Sequence, residues 1–459
     1  MRLSAAFVPL LAVSLTAIAR APSFVVILFD DTGYADHGLT GSELVPTPAI
    51  DSIAEDGVTF TDGYVTASVC SPSRAGMMTG RYQQRYGHEF NLTGPADANG
   101  LGLSPEAVTM AELVAPAGYR TGLIGKWHLG SAEGLRPTDQ GFDVFRGLWG
   151  GSRSYFAEPE ANKNHALRDG EARIEEPDEL YLTTWIGEQA ESFIADAGDE
   201  PYLLFVSYTA PHTPMHALDR DLDELAGVGD LSERRRTYAA MLRSLDRSVA
   251  GILEAIDATG RAGSTAVFLV NDNGGATNNG SDNGRYRGMK GSKWEGGIRV
   301  PFALRWPGVA RAGSRFSHPV STLHITATIA ASSGASVPED APLDGTDLVP
   351  YLTGEAGGPP NETLFWRRGV AAAVREGHWK LIRSEGNPVL LFDLLGDPSE
   401  RRDLSGSHPE VVAGLLERLE KWEMELAEPL WEEGERWERN QRRKHRIEVE
   451  TREQERKFP

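Results

Sequence analysis

Thiols are almost absent from this chain: 459 residues carry one cysteine, Cys70. No disulfide can close within it, and neither a disulfide scaffold nor a cysteine-built zinc site is available. Positive charge is also short, with 46 Lys and Arg against 66 Asp and Glu and a formal net charge of −20 at pH 7. That balance excludes nucleic acid as an expected partner. Long apolar runs are confined to the N-terminus, and a composition of 40% hydrophobic and 24% charged residues is that of a folded soluble protein without an integral membrane span. Arg2 and the apolar residues 5–19, ending Ala17-Ile18-Ala19, have the charge, length and small-residue finish of a secretory signal. The stretch is too short to span a bilayer comfortably. Export is therefore expected, to a periplasmic or secreted location.

What is present is a repeated alternation of short apolar runs with amphipathic segments, the pattern of an α/β fold with a large, mostly parallel sheet flanked by helices. Residues 24–29, 202–206 and 266–270 are apolar without alternation, as strands buried on both faces require. Tyr238, Met241, Leu242, Leu245, Val249, Ile252, Leu253 and Ile256 recur at spacings of three and four and predict one long helix, stopped at Gly260. Further helix starts are expected at Thr47-Pro48 and Ser104-Pro105. From Asn361 the pattern changes to short strands at 370–375, 379–382 and 389–394, then a helix over 409–426. The expected organisation is a signal over 1–19, a main domain over 23–360, a smaller subdomain of antiparallel sheet plus helix over 361–428, and a charged tail over 429–459 read as a solvated helix or loose segment.

In open α/β sheets ligands gather beyond the carboxyl ends of the strands. Those ends are polar here: Asp30-Asp31, Lys126-Trp127-His128, Pro211-His212-Thr213-Pro214 and Asp272-Asn273-Gly274 each follow an expected strand. Asp30, Asp31, Asp272 and Asn273 offer only hard oxygen ligands, which suits Ca2+ or Mg2+ and suits zinc or copper poorly. Arg74, Lys126 and Lys290, with His128 and His212, are candidates for an anion pocket beside that metal. Three carboxylates against one divalent ion and three fixed cations leave the site at about +2, enough to attract an anionic ester. Cys70 precedes Ser71-Pro72, where a helix can open and place the thiol at its positive end, a position that favours reactivity. The residues alone lead to a metal-assisted hydrolase of an anionic ester with a cysteine as candidate nucleophile.

Cys70-Ser71-Pro72-Ser73-Arg74 followed by Ala75-Gly76-Met77-Met78-Thr79-Gly80-Arg81 closely resembles the signature of the type I sulfatases of the alkaline-phosphatase superfamily. Gly125-Lys126-Trp127-His128-Leu129-Gly130 is similar to their second signature. The resemblance continues through Asp30-Asp31, Pro211-His212-Thr213-Pro214, Asp272-Asn273-Gly274 and Lys290-Gly291 followed by Glu295-Gly296-Gly297-Ile298-Arg299-Val300-Pro301, in the family's order.

The resemblance implies that a maturation enzyme converts Cys70 to formylglycine. One hydroxyl of its hydrate then attacks sulfur and expels the alcohol, and the second expels sulfate by re-forming the aldehyde. It further implies that Asp30, Asp31, Asp272, Asn273 and the modified Cys70 hold Ca2+, with Mg2+ the alternative. Arg74 and Lys126 then steady the hydrate, His128 acts as base, and His212 and Lys290 contact the sulfate and the leaving oxygen. Lys290 is assigned over Lys293 because it stands five positions before Glu295. Either Ser152 or Ser154 orients the pocket. Sulfated carbohydrate is the expected substrate over simple aryl sulfates, with Trp149, Tyr155 and Phe156 available to stack on sugar rings. The rival readings are a phosphomonoester or phosphonate hydrolase of the same superfamily, and a non-catalytic binder of sulfated glycans should Cys70 stay a thiol. Asn91-Leu92-Thr93, Asn279-Gly280-Ser281 and Asn361-Glu362-Thr363 are sequons of consequence only in a glycosylating host.

Overall fold

The computed structural model describes residues 20–229 and 231–446. The expected signal over 1–19 and the last part of the charged tail lie outside the described residues. Eight strands build most of a ten-stranded sheet: β1 (Ser23–Phe29), β2 (Val58–Phe60), β3 (Arg120–Lys126), β4 (Val144–Leu148), β5 (Tyr202–Ser207), β6 (Thr265–Asn271), β7 (Phe302–Arg305) and β8 (Ser314–Phe316). The spatial order is β8-β2-β7-β6-β1-β5-β3-β4, and two short strands, Arg168–Asp169 and Ala172–Arg173, complete one edge. The five consecutive strands from β6 to β4 are all parallel, so their carboxyl ends emerge along one edge.

Strand β1 shows why the expected apolar runs carry no alternation. Phe24, Val26 and Leu28 enter one core, together with Ala75, Met77 and Met78 of helix α1 (Cys70–Thr79). Val25, Ile27 and Phe29 enter the opposite core with side chains of α2 (Leu182–Asp196) and α3 (Glu233–Ala258). Each such side chain contributes about 1.5–3 kcal/mol by leaving water. The long helix runs as its periodicity predicts, and Gly260, at φ +67°, lies just past its end. Helix formation at Thr47-Pro48 also holds, over Pro48–Glu55. The helix expected at Ser104-Pro105 does not form. A turn closes there, with Ala107 N–H donating to the Ser104 carbonyl. The helix begins instead at Met110, where Thr109 and Glu112 cap each other's backbone at 3.1 and 2.8 Å.

The C-terminal part forms the antiparallel sheet β9 (Thr363–Arg368), β10 (Ala371–Glu376), β11 (Trp379–Ser384) and β12 (Leu390–Asp393), one strand more than the residue pattern indicates. Helix α4 (Pro409–Glu423) covers one face through Leu415, Leu419 and Trp422. The other face sends Trp366, Ala373, Ile382 and Phe392 into the core of the large sheet. Past it, α5 (Glu435–Lys444) is helical and docked, with Trp431, Gln441 and His445 buried despite the sparse apolar content of this segment.

An ion triad bolts the two sheets together. Lys380 Nζ lies 2.8 Å from both Glu295 Oε1 and Glu400 Oε1, and all three side chains are fully buried. Replacing the lysine strands two carboxylates in the interior. Lys380→Met is expected to lower the unfolding free energy by about 3–5 kcal/mol in urea titrations. A loss within measurement error would show that the triad holds nothing.

Candidate active site

Backbone pairing continues one step beyond the parallel strands and fixes the site. Asp272 N–H donates to Phe29 O at 3.0 Å and Asp30 N–H donates to Ala210 O at 3.1 Å, which sets Asp30, Asp272 and the His212 loop side by side. Asp31 and His128 adopt left-handed backbone conformations, at φ 69° and 63°. These are uncommon for residues with a Cβ and favour neither position for stability. Cys70 opens the first turn of α1, and Arg74 follows four residues later on the same face.

The residues singled out in the sequence come together. The ligand atoms of Asp30, Asp31, Cys70 and His212 all lie within 4.8 Å of one another. Lys126 Nζ pairs with Asp30 Oδ2. Lys290 Nζ donates to Asp31 Oδ1 at 2.6 Å and stands 3.1 Å from Cys70 Sγ, whereas Lys293 Nζ is buried without a partner elsewhere. Arg74 ion-pairs Asp272 Oδ2 through Nε and NH2 at 3.0 Å, and its NH1 donates to Ser207 Oγ and Lys126 O. Asn273 Nδ2 donates to Asp31 Oδ1 at 2.7 Å. His212 Nε2 is 3.6 Å from Asp31 Oδ2, and its Nδ1 faces the Thr213 carbonyl at 2.7 Å.

Charge compensation decides the protonation states. Burial opposes ionisation of Asp30, but Lys126, His212, Lys290 and Arg74 outweigh it and hold the carboxyl well below its usual range. Burial and the Asp30 carboxylate push Asp272 up to about 6 against Arg74 and Lys126. Lys290 stays protonated, since Asp31 and its neighbours overcome the cost of burial. Burial, then Lys126 and Arg74, drive His128 well below an ordinary histidine. Its neutral ring donates from Nε2 to Leu92 O at 3.0 Å, leaving Nδ1 as a buried acceptor with no partner. The reactivity expected of Cys70 from its place at a helix start is not realised by the thiol: burial and the Asp272 and Asp30 carboxylates push it above a normal thiol and outweigh the helix end.

A cavity of about 280 Å3 opens on Cys70, His128, His212 and Lys290 and is walled by Asn91, Asp97, Ser152, Asn164 and His165. Ser152 lines it, while Ser154 Oγ accepts from Phe156 N–H in its own turn. Two of the three aromatic residues expected to stack on sugars are buried against protein groups. Trp149 borders the cavity but packs against the Arg168 and Arg136 guanidiniums, at 3.6 and 4.9 Å, and Tyr155 is buried with its hydroxyl on the Thr209 and His212 carbonyls. Phe156 alone is exposed, against His216. Residue patterns also missed Ser207, His88 and Asn91. Ser207 bridges Arg74 to Lys126 O, His88 bonds Ser71 Oγ at 2.7 Å, and Asn91 accepts from Ser71 N–H at 3.0 Å. Of the sequons, Asn279 is wholly buried, with Nδ2 donating to Asp31 O and Pro211 O.

The donor set fits a hard divalent cation. Asp272 Oδ1 and Asn273 Oδ1 are buried acceptors with no hydrogen-bond partner among the described residues, and Asn273 meets Asp31 Oδ1 through its Nδ2. Orphaned buried oxygens next to paired carboxylates are what Ca2+ or Mg2+ satisfies.

A sulfatase family model matches residues 22–335. Human arylsulfatase A (Homo sapiens) is 33% identical over 87% of this chain and 87% of its own length, and mouse arylsulfatase J (Mus musculus) 28% over 89% and 76%. The solved structure of Ps i-CgsB in complex with k-i-k-neocarrahexaose superposes with a TM-score of 0.85 at 33% identity, covering 90% of this chain and 95% of that one.

Two predictions follow from this geometry. Chelation is expected to lower the melting temperature and added Ca2+ to restore it, with about 2.7 kcal/mol of stabilisation at a hundredfold excess over Kd. Asn273→Leu should blunt the response, and identical melting curves with chelator and with Ca2+ would remove the cation from the site. Lys293 provides the second, because burial and then Arg368 push its ammonium down to about 7. Below that pH the fold bears the whole cost of the buried charge, and as pH rises toward the unfolded value of 10.5 the cost disappears. Lys293→Met should therefore stabilise the protein most at about pH 6 and hardly at all by about pH 10 in urea titrations. A pH-independent difference would contradict the assignment.

Proposed function

The chain belongs to the sulfatase family and is a sulfuric ester hydrolase, and from that premise we propose that it removes sulfate from a sulfated saccharide using Cys70 matured to formylglycine. The observation that carries this reading is the meeting of Cys70, Lys290 and His212 around one small polar cavity beside the Asp30 and Asp31 carboxylates. Asp30, Asp31, Asp272, Asn273 and the matured Cys70 would hold a hard divalent ion, which would supply charge neutralisation at the sulfuryl oxygens. The matured residue supplies a geminal pair of oxygens, one for attack on sulfur and one for release of sulfate as the carbonyl re-forms.

The remaining work falls to side chains. Arg74 and Lys126 keep Asp272 and Asp30 ionised and steady the oxygens on the Cys70 carbon. Lys290 and His212 hold the sulfate group, and one of them delivers the proton to the departing oxygen. His128, neutral and with Nδ1 free to accept, takes the proton when sulfate leaves. Asp97 accepts from Asn164 Nδ2 at 2.8 Å and from Ser131 at 2.8 and 2.6 Å, so the far wall of the cavity is a braced polar surface. The cavity lies just under the range of drug-sized pockets, which suits a sulfate group and the ring that bears it, with the rest of a chain outside. The bound neocarrahexaose of the similar Ps i-CgsB structure supports a saccharide over a small aryl ester. Export by the N-terminal signal and maturation by a formylglycine-generating enzyme complete the reading.

Protein matured in vivo is expected to turn over p-nitrophenyl sulfate in preference to p-nitrophenyl phosphate, and sulfated oligosaccharides faster than either. Cys70→Ala should abolish turnover, and His128→Ala should lower kcat by about 10²–10⁴-fold. A phosphate preference, or activity on aryl sulfates with none on a panel of defined sulfated saccharides, would overturn the substrate assignment.

A further inference from the structure

We propose that residues 427–446 form a clasp that positions the site from behind, with His445 as the positioning residue for Lys290. The inference rests on the functional reading above, in which Lys290 touches the sulfate.

The loop that carries Lys290 has little structure of its own. Gly288 and Gly291 take left-handed conformations at φ 81° and 84°, and the helix that comes next is the four-residue Glu295–Ile298. Three hydrogen bonds tie this loop to the chain's C-terminal end. Lys444 Nζ donates to Lys290 O at 2.8 Å, Lys293 N–H donates to His445 Nε2 at 2.9 Å, and Trp294 Nε1 donates to Lys444 O at 2.8 Å. The His445 ring also stacks on Trp294 at 6.3 Å and 21°. Gly291, at φ +84°, lies close enough to the clasp that a Cβ there would sit 3.0 Å from Lys444 Nζ.

The histidine is locked in one tautomer. Its Nδ1 faces the Gln441 carbonyl of its own helix at 2.7 Å and must donate, so Nε2 must be the acceptor for Lys293 N–H. Burial and then the Lys293 ammonium hold the ring near 3, so the acceptor persists across the working pH range.

The same segment braces the opposite wall. Trp431 Nε1 donates to Asn91 O at 3.1 Å, and its ring meets His88 edge-on at 4.8 Å; His88 and Asn91 in turn bond Ser71, next to Cys70. Anchors keep the clasp in place: Ala427 and Leu430 N–H on the Gln84 and Gly87 carbonyls, Arg368 paired with Glu433 and stacked on Trp437, and Asn387 on Arg442 O. Lys290, 3.1 Å from Cys70 Sγ, and Ser71, next to Cys70 in the chain, thus both lean on one segment at the far end of the sequence.

The test compares full-length matured protein with His445→Leu, His445→Gln, Lys444→Met and the exposed-surface control Glu435→Gln. Glutamine can both accept from Lys293 N–H and donate to Gln441 O; leucine can do neither. His445→Leu is expected to lose about tenfold or more in kcat on the best sulfate ester with KM within about twofold, and His445→Gln to recover to within about threefold of wild type. Lys444→Met should lose about threefold in kcat at an unchanged melting temperature, which keeps the idea open to refutation should His445→Leu fail to fold. Glu435→Gln should match wild type. Wild-type kcat in His445→Leu, or in Lys444→Met where the leucine variant does not fold, overturns the proposal, and so does a glutamine variant as slow as the leucine one. Hydrogen exchange over 289–295 is read in parallel and should be faster in His445→Leu than in wild type and His445→Gln. Should wild type hydrolyse no sulfate ester, the functional reading falls, while that exchange order still decides whether the clasp holds the loop.

Discussion

Three carboxylates packed where parallel strands end set the terms for everything else in this molecule. Asp30, Asp31 and Asp272 have little access to water, and the register that places Phe29 beside Asn271 leaves Asp30 and Asp272 as neighbours. Such a cluster is unstable unless cations meet it. Arg74, Lys126 and Lys290 do so from a helix, a strand end and a loop, and each cation is held by a different carboxylate. Burial, with Lys126 and Arg74, leaves His128 neutral, and the cations together keep Asp30 ionised. The site's acid–base state is therefore a consequence of how buried negative charge is balanced, and a net charge of −20 for the whole chain does not prevent a locally balanced pocket.

Support for that balance comes from far along the sequence. The antiparallel C-terminal sheet places Lys380 against Glu295, and Glu295 also receives Tyr64 Oη at 2.6 Å and Arg299 NH1 at 3.2 Å. Glu295 stands five residues after Lys290, and its backbone N–H is held by Glu400 Oε2. A rigid scaffold behind the reacting groups is what keeps a near-attack geometry from relaxing. The smaller sheet and the segment after it are thus part of the framework that aims the lysine.

Local patterns made the central strands, the long helix and the strand-end polar residues readable, because each rests on short-range periodicity or on residue types that follow a buried run. They could not show which side chains meet from opposite ends of the chain. Ser207 is the last residue of an apolar strand and nothing nearby marks it, yet it joins Arg74 to Lys126 O. His445 lies in a stretch of Arg and Glu that looks solvated, and its burial depends on the fit to Trp294. The helix start at Ser104-Pro105 was misleading because the true cap, Thr109 with Glu112, stands a few residues on. Trp149 and Tyr155 read as sugar platforms only until their neighbours are known: arginines cover one, and backbone carbonyls hold the other. The thiol's position at a helix start pointed to a reactive group, but burial and two nearby carboxylates outweigh that end.

The central claim is that the carboxylate cluster serves a carbonyl-derived nucleophile made from Cys70, with the thiol itself playing no part in turnover. Its most direct measurement is the fraction of Cys70 present as aldehyde, by peptide mass spectrometry, against specific activity across preparations matured to different extents. Activity should rise in proportion to that fraction and extrapolate to zero at zero conversion. Full activity in a preparation whose Cys70 peptide carries only the free thiol would contradict the account.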